Sequence, residues 1–209
     1  MNERAIVRPY RPSDRDDLYD VCVRTGHQGG DARELYADHD LLPDVFAGPY
    51  AELEPDLAFV LDDGERVVGY VVGAADTAVF AERFRTEWLP RVAGRHPAPS
   101  GPPTTPDELV RGLLHRPGRM VVPELADHPA HLHIDLLPAV QRKGYGRELM
   151  DALFAALRER GVAAVHLGMA PQNTAAGLFY ERLGFRRIDV PGAGDVTYLG
   201  RTTAPLERR

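Results

Sequence analysis

A chain of 209 residues can bury a sizeable core, and it suits one domain better than two. Its 31 acidic and 25 basic residues leave a net charge of −6, which argues against a general nucleic-acid binder and favours a cationic or amine partner. The single cysteine, Cys22, excludes an intramolecular disulfide and fits a reducing compartment; with no signal peptide and no long apolar run, the chain is expected to be cytoplasmic and independent of membranes.

In chain order, Ala5 to Pro9 is a short apolar strand, and the acidic run from Ser13 to Asp17 starts a helix through Leu18, Tyr19 and Cys22. Gly26 to Gly30 opens a polar loop. Two apolar runs, Leu57 to Leu61 and Val67 to Ala75, flank Asp62-Asp63-Gly64 and predict a hairpin. Phe80 to Leu89 reads as helical, Ala98 to Pro106 is too rich in Pro and Gly for a regular element, and Thr105 or Pro106 starts a short helix ending near His115. His131 to Leu137 alternates and stops at Pro138, as a strand does. Leu149, Met150, Leu153 and Leu157 then recur at helical spacing. A strand from Ala163 to Met169, a helix from 174, and a last pair near 186–190 and 196–201 complete the order. Hairpin-paired strands followed by strands alternating with helices predict an α/β (α+β) fold with a mixed sheet and helices on both faces. The expected organisation is one unit over 1–209 with an insertion at about 80–118.

The chemistry concentrates at Gln141-Arg142-Lys143-Gly144-Tyr145-Gly146-Arg147, a strand-to-helix corner. Glycines at 144 and 146 let a ligand approach the backbone, and the unpaired amides and dipole of a helix start favour an anion. A tight turn with a solvated basic flank is the other explanation. The corner is no Walker loop, since Gly-Lys-Ser/Thr after a longer loop is absent, and no dinucleotide fingerprint, since a third glycine and a later acidic ribose ligand are missing. Downstream, Pro171, Gln172 and Asn173 lead into a helix that Asn173 can cap, with Ala176, Phe179, Tyr180 and Leu183 on one side and Gly184 ending it. Tyr180 is either a core residue of this helix or part of a site.

The Gln-x-x-Gly-x-Gly pattern at 141–146, together with Asn173…Phe179-Tyr180…Leu183-Gly184-Phe185, resembles the Gcn5-related N-acetyltransferases (GNAT). The resemblance implies the GNAT fold, a mostly antiparallel sheet of about seven strands, and acetyl-coenzyme A as cosubstrate with no metal. It implies that Gln141, Arg142, Lys143, Gly144, Tyr145, Gly146 and Arg147 meet the pyrophosphate. Backbone groups at Leu136 and Leu137 would bond the pantetheine arm and acetyl carbonyl, Asn173 and Ala176 would line the same arm, and Tyr180 would stand near the sulfur. Six further segments are similar to the acetyltransferase-like C-terminal domain of animal O-GlcNAcase and its free-standing bacterial relatives. They are Val7-Arg8-Pro9-Tyr10-Arg11, Gly48-Pro49-Tyr50, Phe59-Val60-Leu61-Asp62, Gly69-Tyr70-Val71-Val72-Gly73, Glu87-Trp88-Leu89-Pro90 and Tyr198-Leu199-Gly200-Arg201. The animal domain lacks the Gly-rich corner that this chain keeps. The implied activity is N-acetyl transfer to an amine, on a lysine side chain or a small molecule; the alternative is a pseudo-acetyltransferase that binds coenzyme or protein without turnover.

Tyr180 is the candidate general acid for the departing thiolate. For the base, His131, His133 and Asp135 share one face of their strand, unusual for a strand covered on both sides. Asp135, with His133, either takes the proton from the amine or holds a loop by hydrogen bonds; Asp76 is the reserve. His-x-His-x-Asp could also chelate zinc, but no other ligand set accompanies it. Either the helix bearing Trp88 walls the acceptor groove, with the Pro-rich stretch peripheral, or Trp88 only anchors the insertion to the core. A homodimer is left open.

Overall fold

The computed structural model describes residues 4–205. Seven strands form one sheet among these residues: β1 (Ile6–Pro9), β2 (Ala58–Asp62), β3 (Val67–Ala74), β4 (Ala130–Leu136), β5 (Ala164–Met169), β6 (Arg186–Ile188) and β7 (Thr197–Thr202), in the order β1-β2-β3-β4-β5-β7-β6. Every pairing is antiparallel except β4 with β5. The predicted hairpin is present: Asp63 donates its amide to the Arg66 carbonyl, Asp62 and Asp63 side chains accept turn amides, and Gly64 takes φ +93°.

Helices cover both faces. On one lie α1 (Arg15–Thr25), α3 (Gly48–Leu53) and α4 (Thr77–Arg83); on the other lie α7 (Tyr145–Glu159) and α8 (Thr174–Arg182). In α7 the stripe Leu149, Met150, Leu153, Phe154 and Leu157 is fully buried against the sheet, each side chain worth about 1.5–3 kcal/mol of removed apolar surface. Gly73 of β3 lets that helix close in, because a Cβ there would meet Leu153 at 3.0 Å. The remaining helices, α2 (Leu41–Phe46), α5 (Leu89–Val92) and α6 (Pro106–Leu114), are short. No helix among the described residues is long and apolar enough to cross a membrane.

Two segments differ from the sequence expectation. The loop after Gly30 contains α2 and α3, six residues each, too short to show a helical period; only Pro49 at the start of α3 hints at them. The helix expected from Phe80 begins at Thr77, because the Asp76 carboxylate caps it by accepting the amides of Ala78 and Val79 at 2.9 and 3.0 Å. Asp76 is thus a helix cap and no longer a reserve base. The helix then passes through one π turn, Phe84–Trp88, into α5. The short helix starting at Pro106 with a Thr105 cap is as expected.

Asp44 on α2 holds this part of the chain together. It is fully buried and accepts from the Tyr19 hydroxyl of α1, Arg95 Nη2 (2.6 Å) and His96 Nε2 (2.8 Å), while its main-chain carbonyl accepts Trp88 Nε1 at 2.8 Å. Trp88, 5% exposed, is therefore an anchor of the 80–118 segment. Removing one member of a buried charged cluster leaves its partners without solvation. Asp44→Ala should lower the unfolding free energy by about 3–5 kcal/mol, measured by urea denaturation; a loss under about 1 kcal/mol would mean that water replaces the carboxylate freely.

Candidate active site

The site begins where the sheet comes apart. β4 and β5 are in register only at Ala130 with Val165 and His131 with His166. Beyond that, β4 stays with β3 up to Leu136 and β5 stays with β7 up to Met169. Leu137 gives its amide to the Val68 carbonyl (3.0 Å), which sets the alternation of β4: Leu137, Asp135 and His133 spend their backbone groups on β3, whereas those of Leu136 and Ile134 turn toward the parting. The Leu136 carbonyl is taken by the Gln141 side-chain amide (2.8 Å), and the Leu137 carbonyl by Val140 (3.0 Å). The Leu137 amide is thus spent on β3 while its carbonyl accepts one bond, Gln141 braces the corner, and the outward groups without a partner among the described residues are the Leu136 amide and those of Ile134.

At one end of the parting stands the start of α7. Gly144 is its N-cap residue with φ +94°, Arg142 has φ +60°, and a Cβ at 144 would meet nothing within 4 Å. The amides of Arg142, Lys143, Gly144, Tyr145 and Gly146 donate to no group of the described residues. At Gly146 the requirement is packing, since a Cβ would lie 3.1 Å from the Phe179 ring of α8. Arg142 and Lys143 are exposed, and Arg147 lies 3.7 Å from Asp151 one turn on. Five amides, a helix dipole and three cations form an anion cradle.

α8, whose Phe179 ring meets Gly146, carries Tyr180. Asn173 caps the helix by accepting the Ala176 amide at 3.1 Å, as expected, and Ala176 packs on the core. The Tyr180 ring lies against Phe179 and Phe185, with centroids 5.3 and 5.5 Å away. Its hydroxyl bonds no described side chain and is not sealed off. Burial, and secondarily the charge of Asp135, raises its pKa, so it holds its proton.

Asp135 lies opposite Tyr70 of β3 and accepts its hydroxyl at 2.6 Å; Cys22 and Thr25 of α1 complete its surroundings. Burial pushes the carboxyl up to about 6, against the Tyr70 bond that favours the anion. His133, two residues along the same face, is pushed down to about 4 by burial, the Arg119 charge and His166. It is neutral at pH 7, so a protonated His133 does not hold the Asp135 pKa down. His131, deeper on that face, is pushed well below the usual histidine value by burial and its histidine neighbours. The Nε2 atoms of the two β4 histidines both meet the Tyr50 hydroxyl of α3, at 2.8 and 3.1 Å. No cluster of three or more His, Cys, Asp or Glu side chains arranged to hold a metal ion occurs among the described residues.

The segments outside the coenzyme pattern have structural work. Arg8 bridges Asp14 (2.7 Å) and Asp62 (2.8 Å), joining β1 to β2. Arg201 lies over the Phe154 ring, 4.5 Å from its centroid, and donates to the carbonyls of Leu183 and Ala204. Tyr50 and Tyr70 reach the polar face of β4. These two tyrosines are site residues that sequence reasoning missed; the motifs Gly48-Pro49-Tyr50 and Gly69-Tyr70 contained them, with nothing local to say what they touch.

A family profile described as acetyltransferase (GNAT) domain matches residues 116–187. The protein solved as SsHAT is 59% identical and superposes with a TM-score of 0.94, over 97% of this chain and 100% of that one. Protein O-GlcNAcase of Rattus norvegicus is 26% identical over 200 residues, 94% of this chain but 22% of the relative, so the chain spans about a fifth of the length of that curated relative. The [ribosomal protein bS18]-alanine N-acetyltransferase of Escherichia coli (strain K12) is 38% identical over 64 residues, 31% of this chain and 43% of that enzyme. With the parted β4 and β5, the cradle at α7 and a near-complete superposition on SsHAT, the chain belongs to the GNAT acetyltransferase family.

Proposed function

We propose that this protein is an acetyl-coenzyme A-dependent N-acetyltransferase acting on an amine, either a lysine side chain or a small molecule, through one unit that spans the chain. The observation that carries the proposal is the parting of β4 from β5, with the anion cradle of α7 beside Leu136 and with Tyr180 within reach of the Asp135 charge. The coenzyme pyrophosphate would sit on the amides of 142–146, with Arg142, Lys143 and Arg147 about it. Its pantetheine arm would lie along Ile134 and Leu136 as a short added strand, with Asn173 and Ala176 on the other wall. The Leu136 amide is the candidate donor to the acetyl carbonyl as negative charge develops there.

Acetyl transfer forms a C–N bond and breaks a C–S bond, which requires one proton taken and one given. Asp135, with its pKa near 6, is an anion at pH 7 yet basic enough to take the amine proton directly or through water. Tyr180 keeps its proton until the thiolate leaves. The net negative charge of the chain suits a cationic acceptor.

Millimolar acetyl-coenzyme A should raise the melting temperature of the wild type; saturation at a hundred times Kd corresponds to about 2.7 kcal/mol. Gly144→Asp should abolish the rise, while Gly144→Ala, which shares the positive-φ strain without the charge, should retain part of it. A wild-type melting temperature indifferent to coenzyme would end the proposal.

Tyr180→Phe preserves the ring contacts and removes the proton, so kcat should fall about a hundredfold with coenzyme affinity intact. Unchanged turnover would assign the thiolate proton to water.

For Asp135, kcat/KM should climb with pH through about 6, and Asp135→Asn should lose that limb and most of the turnover. Stability separates this from a structural role. The folded-state pKa lies above the ordinary 3.8, so the stabilising effect of the proton is present at low pH and lost as pH rises through about 6. Between pH 5 and pH 8 the melting temperature of Asp135→Asn should therefore fall less than that of the wild type. A variant that melts early at every pH, with activity reduced only in proportion to folded protein, would make Asp135 structural.

A further inference from the structure

Behind His133 runs a hydrogen-bonded chain whose direction can be worked out from its buried end. The Pro129 carbonyl can only accept. The Thr77 hydroxyl lies 2.7 Å from it, so the Thr77 proton is committed there, and the amide of Thr77 donates to the same carbonyl at 2.8 Å. His131 Nδ1 lies 2.8 Å from that hydroxyl oxygen, which has only lone pairs left to offer, so Nδ1 of His131 carries a proton. The ring is enclosed by Tyr50, Phe80, His133 and His166, with no carboxylate bonded to it; it stays neutral, and its Nε2 is an acceptor. The Tyr50 hydroxyl, 2.8 Å from that nitrogen and 4.0 Å from Met120 Sδ, a far weaker acceptor, donates to the nitrogen. The Tyr50 oxygen can then only accept from His133 Nε2 at 3.1 Å. His133 is thereby left with a lone pair on Nδ1, an atom that bonds no described group and is not sealed from solvent.

We propose that Thr77, His131 and Tyr50 are a tautomer lock on His133, which fixes the proton on Nε2 and presents Nδ1, beside Asp135 on the same face of β4, as the hydrogen-bond acceptor for an N–H of the substrate amine. The last clause rests on the N-acetyltransferase proposal; the lock itself does not. A chain ending on a main-chain carbonyl cannot carry a proton away, so its function is orientation, and Thr77, His131 and Tyr50 are positioning residues that never touch the acceptor. An amine between Asp135 and His133 meets two acceptors. Asp135 removes one proton, and His133 holds the nitrogen by another so that its lone pair is aimed at the thioester carbon.

The decisive variant lies two side chains away from His133. In Thr77→Val the His131 Nδ1–H loses its acceptor, His131 is free to move its proton to Nε2, and Tyr50 is then turned to donate toward His133. Nitrogen-15 long-range correlation spectra at neutral pH should show wild-type His133 protonated on Nε2 with Nδ1 bare. That preference should be reduced or reversed in Thr77→Val and restored in Thr77→Ser. Tyr50→Phe, whose ring keeps its stack on Phe80 (centroids 4.4 Å apart), should also release it. With acetyl-coenzyme A and a lysine peptide or spermidine as acceptor, thiol release should show KM for the amine raised about tenfold in Thr77→Val, the worth of about one hydrogen bond, with KM for the coenzyme unchanged. Wild-type His133 protonated on Nδ1, or a Thr77→Val spectrum identical to wild type, would overturn the lock whatever the turnover. The expected spectra with no acetyl transfer to either amine would overturn the substrate role and the enzymatic proposal and leave the lock standing.

Discussion

A strand in the interior of a sheet has two hydrogen-bonding edges, and β4 satisfies only one of them along most of its length. Its β3 edge is paired from His131 to Leu136; its β5 edge is paired for two residues and then turns outward. Buried backbone groups without partners are costly, so such an edge persists only where the rest of the structure enforces it. Here β7 pairs β5 along all six of its residues and draws it off, and α7 and α8 meet through Gly146 and Phe179 at the mouth of the parting. The cradle at Gly144, the seat of Tyr180 and the polar face of β4 are all located by that one separation.

The polar face follows a second constraint. A strand covered on both sides ordinarily carries apolar residues on both, yet β4 buries His131 and brings His133 and Asp135 to the same side. The cost is limited because the histidines are neutral and each bonded ring nitrogen has a defined partner, and because Asp135 bonds the Tyr70 hydroxyl. The residual cost appears in the titration of these groups, with Asp135 pushed to about 6 and His133 to about 4. Groups displaced in this way, on one face and next to an opening, mark that face as the candidate site.

What the sequence discloses and what it hides divides along the same line as local and distant interactions. The hairpin at Asp62-Asp63-Gly64, the caps at Thr105 and Asn173, and the helix start at Gly144 are each built from neighbours, and each is legible in a few adjacent letters. The helices α2 and α3 are not, because six residues carry too little periodicity and their helical state is enforced by packing around Asp44 and Tyr50. The face shared by His131, His133 and Asp135 follows from alternation alone. Their partners do not: Tyr50 is 81 residues from His131, and Tyr70 is 65 from Asp135. Gln141, a letter of the coenzyme pattern, proves to be a brace for the Leu136 carbonyl, a role that only the fold exposes.

An unpaired strand edge is ordinarily a hazard, since it invites pairing with another protein chain and so aggregation. Proteins defend edges by shortening, charging or covering them. Here the exposed stretch, Ile134 to Leu136, has been moved inside the sheet, where β5, α7 and α8 hem it in. The edge is thus shielded from pairing with a second protein chain by its place in the fold, with neither charge nor shortening to defend it.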